Sequence, residues 1–186
     1  SITVNRNLFF FFGPSGVGKT FLAKTAAESL GIQVMVKDLS QFDKMTLMKD
    51  SRSEEPNLLD FVQNNPKSVL VLKGIENSSA EGYEFVIKLL KEGKYERYGK
   101  GDVDFGKPII VLTSGFGKEI YADRSINTCN IPEKMIKGAI ESEQQALKEE
   151  AKQKNERYYP LIPEEVVQYI SSENAIFFNY LTLTNI

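Results

Sequence analysis

The segment from Leu8 to Thr20 constrains this chain more than any other. An apolar run, Phe9-Phe10-Phe11-Phe12, stops at Gly13-Pro14-Ser15-Gly16-Val17-Gly18-Lys19-Thr20 and continues into residues that favour helix. The spacing G-x-x-x-x-G-K-T between a strand and a helix is a phosphate-binding loop. Its glycines matter because several backbone N–H groups must curl around the phosphates, which needs positive φ and leaves no room for Cβ atoms. Lys19 can then reach the β- and γ-phosphates and Thr20 can offer its hydroxyl to Mg²⁺. The helix that follows, with Phe21 in its first turn, directs its N-terminal dipole at the anion. The expected nucleotide-binding set is Gly13, Pro14, Ser15, Gly16, Val17, Gly18, Lys19, Thr20 and Phe21.

Bulk composition narrows the rest. A length of 186 residues gives one domain, or a domain with a small appendage, large enough for a proper core. The 23 basic and 25 acidic residues nearly balance, which leaves no electrostatic footprint for nucleic acid. One cysteine, Cys129, excludes an internal disulfide, and the absence of histidine removes the usual zinc ligand and the usual near-neutral base. Any metal should be Mg²⁺ accompanying nucleotide. The run Leu8 to Phe12 is far shorter than the ~20 residues a membrane span needs, and no charged-then-apolar signal pattern stands before it. A cytoplasmic location without membrane contact is expected. The opening almost directly on a strand suggests an excised domain.

From Asn7 to about Ser114 strands and helices alternate, and the apolar runs are too continuous to be half-exposed, as in parallel strands covered on both faces. A helix is predicted from Lys19 to about Leu30, with Leu22, Ala23, Ala26, Ala27 and Leu30 at helical spacing. A strand follows at Ile32 to Val36, a short helix after Pro56, a buried strand at Val69 to Leu72 and a helix from about Ser79 to Lys91. Gly93 to Gly106 reads as a loop or hairpin, and Pro108 to Thr113 as another interior strand. Beyond Gly117 the character changes. Pro132 opens a long, charged, mostly solvated helix to about Arg157, with a narrow apolar stripe of Ile136, Ile140, Leu147 and Ala151. A short helix with Val166, Val167 and Ile170 follows Pro163, and Ala175 to Leu183 is a terminal strand or docking segment. The expected organisation is an α/β P-loop domain over residues 1–117 and a small, mostly helical C-terminal extension over 118–186, read as a reduced lid.

The loop GPSGVGKT followed by FLAKTAAESLG, then Val36-Lys37-Asp38-Leu39-Ser40-Gln41-Phe42 and Pro66 to Leu72, resembles the AAA+ module of Clp-type unfoldases, the hexameric protein-remodelling ATPases. The likeness continues through Leu89 to Lys94, Gly101 to Phe105 and Ile109 to Ser114, somewhat more than half the chain. It implies a P-loop NTPase fold with a five-stranded parallel sheet sandwiched by helices, ATP or ADP at the carboxyl ends of the strands, and other AAA+ subunits as partners.

The departures from the family pattern are as informative. The family strand corresponding to Leu70–Leu72 ends in Asp-Glu, the Asp supporting Mg²⁺ and the Glu activating water. Here those places hold Lys73 and Gly74, which can neither coordinate a cation nor accept a proton. Glu76, the nearest acid, matches a later acidic position of the family motif, and its displacement by two residues is expected to put it elsewhere on the turn; it is the one weak catalytic candidate. Losing a positioned base costs typically ~10²- to 10⁴-fold in rate. The family's polar sensor after the Thr-Ser pair is Gly115. The stretch Met45 to Glu55, where the family carries an aromatic pore loop, has no aromatic residue and no glycine. Arg124 and Arg157, the arginines left after Gly115, match no family finger motif.

The resulting expectation is an adenine-nucleotide-binding module, a pseudo-ATPase with weak or absent hydrolysis and a weakened Mg²⁺ site. The alternatives are an active remodelling ATPase in which Glu76 or another chain's acid restores the site, and an interaction domain that binds no nucleotide. Lys73 is counted with the expected nucleotide-binding residues and has two readings, an ammonium that neutralises the β- and γ-phosphates in place of the metal or, preferred here, a strand-end lysine reaching solvent. Phe177-Phe178 and Tyr180-Leu181 read as core of the lid-like region or as a docking patch, and Tyr95 and Tyr98 as part of an exposed hairpin. Cys129 has no activating histidine and receives no role.

Overall fold

The computed structural model describes residues 7–44 and 56–179. The Met45–Glu55 stretch and Tyr180-Leu181 therefore lie outside the described residues. Strand β1, Leu8–Phe12, leads through the phosphate loop to helix α1, Lys19–Ser29. Strand β2, Val34–Asp38, ends in a 3₁₀ turn over Leu39–Gln41, and helix α2, Leu58–Asn64, precedes strand β3, Val69–Lys73. A second 3₁₀ turn, Ile75–Asn77, leads to helix α3, Ala80–Glu92. Short strands β4, Lys94–Tyr95, and β5, Val103–Asp104, pair antiparallel and precede strand β6, Ile109–Ser114.

The main sheet is parallel and five-stranded in the order β2-β3-β6-β1-β7, β7 being Ala175–Phe177. Side chains alternate between its faces. Leu8, Phe10 and Phe12 join Leu70, Leu72, Ile110 and Leu112 on one side, while Phe11 joins Val69, Val71 and Val111 on the other. Both faces are covered, so neither could be polar, and this is why the strands read as unbroken apolar runs. Helix α1 covers the second face through Ala23 and Ala27 alone. Leu22 and Leu30, expected inward, are 46% and 66% exposed. Two small residues one turn apart let α1 lie close on the sheet, and the larger side chains fall outside that narrow contact.

Strand β2 runs two residues later than predicted, because its pairing with β3 extends to Asp38 opposite Lys73. The Gly93–Gly106 stretch is a hairpin whose Arg97, nearly buried, donates to Asp60 Oδ1 and Gln63 Oε1, both at 2.7 Å. That guanidinium holds the Asp60 carboxyl below the usual carboxylate range. Tyr98 at the hairpin tip is fully exposed.

After Gly117 come the short helix α4, Lys118–Tyr121, the 21-residue helix α5, Glu133–Gln153, and the short helix α6, Glu164–Val167. Helix α5 buries Ile136, Ala139, Ile140 and Ala151 and leaves its charged face in solvent. The chain then enters the main sheet as β7. Phe177 stacks on Phe12 with ring centroids 5.0 Å apart, and Phe178 lies against Phe11 at 5.1 Å. The mostly helical C-terminal segment thus also supplies the fifth strand, beside the strand that carries the phosphate loop.

Candidate functional site

The phosphate loop leaves β1 at Gly13, whose N–H donates to the Ser114 carbonyl at 3.1 Å. Gly16 and Gly18 have φ of +80° and +96°, left-handed values that glycine adopts without the steric penalty of a Cβ. Gly18 is also the N-cap of α1, so the loop delivers its N–H groups at a helix start. Lys19 Nζ donates to the carbonyls of Gly13, Pro14 and Ser114, the last two at 3.2 and 3.4 Å. Burial holds the Lys19 ammonium below the usual lysine range, helped by repulsion from Lys73 and opposed by attraction to Glu76.

Above the loop lies a cavity of about 560 Å³. Ser15, Gly16, Gly18, Lys19, Thr20 and Phe21 form its floor, and Phe21 presents a ring that is 72% exposed. Of the sequence-predicted binding residues, Gly13, Pro14 and Val17 do not line it. Lys73, Gly74, Glu76 and Gly115 line the other wall with Asn77, Thr113 and Ser114, and Asp38 and Ser40 close one end. Arg124, Arg157 and Cys129 are exposed and line none of it.

Glu76 departs from expectation: it is buried at 8% exposure in the cavity wall rather than lying elsewhere on the turn. Gly74 explains this. Its φ of +73° turns the chain sharply after β3, and its N–H donates to both the carbonyl and the hydroxyl of Thr113 on β6, at 3.1 and 3.2 Å. The 3₁₀ turn that follows swings Glu76 back toward the cavity, where Oε1 accepts from Gly115 N at 2.8 Å. Glu76 Oε2 is shielded from solvent without a hydrogen-bond partner among the described residues. The Glu76 carbonyl accepts from Leu161 N at 2.9 Å and from Tyr83 Oη at 3.0 Å. Burial pushes the Tyr83 hydroxyl up to about 12, with the charges of Tyr158 and Glu76 adding to it. On the far side, Tyr121 Oη donates to the Gly115 carbonyl at 2.7 Å, and Glu143 Oε2 accepts from Gly117 N at 2.8 Å. Burial, with Glu76 and Glu119 nearby, raises the Glu143 carboxyl against the lowering effect of those backbone donors.

Sequence reasoning missed Asp38, Ser40, Asn77, Thr113 and Ser114 as lining residues, and Tyr83, Tyr121 and Leu161 as supports. For Asp38, Thr113 and Ser114 a signal existed. They close the carboxyl ends of strands β2 and β6, the edge of the sheet at which open α/β folds bind ligands. Nothing local marks the supports, which come from distant segments.

The loop suits a phosphate chain: glycines in the left-handed region, a half-buried lysine and a helix start converge on one cavity. For Mg²⁺ the fit is partial. Thr20 offers a hydroxyl and Glu76 a carboxylate, but the strand end carries the Lys73 ammonium, which has no lone pair to give. Among the described residues no group of three or more His, Cys, Asp or Glu side chains is placed to hold a metal, so phosphate oxygens and water would complete such a shell.

The sequence profile of the AAA domain family (Cdc48 subfamily) matches residues 6–164. The chain belongs to this family. It is 30% identical over 146 residues to the chaperone protein ClpB of Staphylococcus aureus (strain COL), covering 72% of this chain and 17% of that protein. It is 29% identical over 127 residues to the ClpA homolog protein of Fuscovulum blasticum, covering 63% and 16%. With ClpB of Staphylococcus epidermidis (strain ATCC 12228 / FDA PCI 1200) the identity is 28% over 146 residues. The chain spans less than a fifth of the length of these relatives. It is an AAA+ module of the Clp type, and its parallel five-stranded sheet is the architecture that membership implies. Members of this family use nucleotide, usually with Mg²⁺, which agrees with the phosphate loop of this AAA+ module. Among the described residues no helix is long and apolar enough to cross a membrane.

Proposed function

We propose that this AAA+ module binds adenine nucleotide at Gly16 to Thr20 and hydrolyses it weakly or not at all, with Mg²⁺ support reduced. The observation that carries this reading is the end of β3, where Lys73 and Gly74 face the cavity in place of an acidic pair. Nucleotide affinity comes chiefly from the phosphate cradle, which is intact here. Turnover needs carboxylates placed for the transition state. In a larger assembly such a module serves as a structural or regulatory subunit, its nucleotide fixing an interface with neighbouring AAA+ subunits in the cytoplasm. The 118–186 segment belongs to this module as a reduced lid. Calorimetric titration with ATP and ADP should show saturable micromolar binding, and phosphate release should stay below about 1 s⁻¹, the low end of ordinary enzyme turnover. Turnover at or above that rate, abolished by Lys19→Ala, would refute it.

One observation favours a second reading, that of a working ATPase. Glu76 lies in the cavity wall with one carboxylate oxygen lacking a partner among the described residues. The same phosphate-release measurement separates the two readings.

A further inference from the structure

We propose that this cavity takes up the phosphates of a nucleotide free of divalent metal, the Lys73 ammonium supplying the positive charge that a cation would otherwise bring; this rests on the nucleotide-binding reading above and names the ionic form of the nucleotide that the site selects.

The groups around the cavity give Mg²⁺ only part of a shell. Four ionisable side chains line it: Lys19, Lys73, Asp38 and Glu76. Glu76 Oε1 accepts from Gly115 N at 2.8 Å and Oε2 is sealed from solvent, which leaves this carboxylate poorly placed to coordinate. Asp38 Oδ1 accepts from Ser40 N at 2.9 Å and Ser40 Oγ at 2.7 Å, and so caps the turn after β2. A hydroxyl such as that of Thr20 cannot replace the one or two carboxylates through which Mg²⁺ is bound beside phosphates.

The cations are placed the other way. Lys73 ends β3, in register with Asp38 of β2, and lines the same cavity as Lys19. It is exposed, as a strand-end lysine would be, yet among the described residues its ammonium has no ion-pair partner, Asp38 included. Lys19 Nζ rests on the carbonyls of Gly13, Pro14 and Ser114, and repulsion from Lys73 adds to burial in holding it below the usual lysine range. Two ammonium groups that repel each other beside one cavity favour an anion there. A lysine meets phosphate as a compact point charge, so it neutralises phosphate oxygens without the near-octahedral ligand set that Mg²⁺ demands. The same ammonium repels any divalent cation carried to the end of β3.

ATP titrations of the whole chain at matched ionic strength, in EDTA and in Mg²⁺, test the proposal. Wild type should bind at least as tightly in EDTA as in Mg²⁺, because uncomplexed phosphates keep their full charge for the two lysines. Lys73→Ala should weaken binding in EDTA about fivefold or more, the scale of one unit charge at ~4 Å in a watery surrounding, and much less in Mg²⁺. A merely structural lysine would weaken both alike. Lys73→Arg keeps the charge and should keep the wild-type behaviour; Lys73 is exposed, so both substitutions spare the core. Tighter wild-type binding in Mg²⁺ than in EDTA overturns the proposal while leaving nucleotide binding standing. A Lys73→Ala loss that is absent, or equal in the two buffers, does the same, as does a Lys73→Arg chain that loses as much as Lys73→Ala. No saturable binding in either buffer refutes the nucleotide reading itself.

Discussion

Gly13→Ala tests whether the C-terminal strand and the phosphate loop are one mechanical unit. Gly13 does not have positive φ, so the added methyl meets only packing. An ideal Cβ there would lie 2.8 Å from Phe178 Cβ, 2.8 Å from the Phe178 carbonyl oxygen and 3.4 Å from Val17 Cγ2. Ordinary carbon contacts fall near ~3.5–4.0 Å, so roughly 0.7 Å or more must be found. Phe178 cannot yield cheaply. Its N–H donates to the Phe12 carbonyl at 2.7 Å, and its ring lies against Phe11. The loop cannot yield cheaply either, because Gly13 is held to Ser114 and its carbonyl accepts from Lys19. Overpacking of this kind costs about 1–3 kcal/mol. At about 2–4 °C per kcal/mol for a chain of this size, the melting temperature should fall by about 2–12 °C. ATP affinity should fall in parallel, because either relaxation moves the Lys19 anchor. Thermal unfolding followed by circular dichroism, with and without ATP, measures both effects. Trimming Phe178 should rescue little, since one of the two close contacts is with its backbone. A Gly13→Ala chain that melts within about 1 °C of wild type would refute the coupling of β7 to the loop.

Lys73→Asp combined with Gly74→Glu should raise phosphate release by about 10²-fold or more if the strand-end acids are what the site lacks. The Gly74 position has open space around a Cβ, but its φ of +73° makes any other residue cost about 1–2 kcal/mol in stability, and an unchanged rate in the folded variant would count against the pseudo-ATPase reading. Tyr83 has a folded-state pKa raised to about 12, above the ordinary value of 10.0, so its contribution is fully present below pH 10 and lost as pH rises toward 12. Alkaline urea titrations should show wild type losing on the order of 1 kcal/mol across that window, less than the full shift because the hydroxyl is only half-buried, and Tyr83→Phe losing much less; parallel slopes would contradict the burial of that hydroxyl.

How far the sequence disclosed this molecule depended on whether each feature was local. The phosphate loop was legible because its geometry is written in consecutive residues: Gly16, Gly18, Lys19 and Thr20 need no distant partner to adopt it. Strands β1, β3 and β6 were legible because both of their faces are covered, which forces unbroken apolar runs. The inward face of α1 was misjudged. Helical spacing marks Leu22 and Leu30 as well as Ala23 and Ala27, and only the close approach to the sheet decides that the alanines are the contact. Glu76 was misplaced for a related reason. Counting residues along a turn puts it elsewhere on that turn, whereas the left-handed Gly74 and the hydrogen bond from Gly115 N, 39 residues beyond Glu76, place it in the cavity wall. The residues that brace it, Tyr83, Tyr121 and Leu161, act through backbone carbonyls, a use of tyrosine and leucine that no motif records.

Decay and rebuilding of a catalytic cleft leave different traces, and the contacts around Glu76 distinguish them. A site that has merely lost its acids has no reason to keep its remaining polar groups under restraint, because no ligand rewards their order and side-chain freedom favours release. Here the Glu76 carbonyl has two donors, Gly115 is held through both its N–H and its carbonyl, and the Gly74 N–H is shared between two Thr113 oxygens. Two lysines remain close enough to repel each other beside that acid, a cost in the free protein that a bound polyphosphate would relieve. Restraint on the acid and unrelieved repulsion between the cations point the same way, to a cleft shaped for an anion.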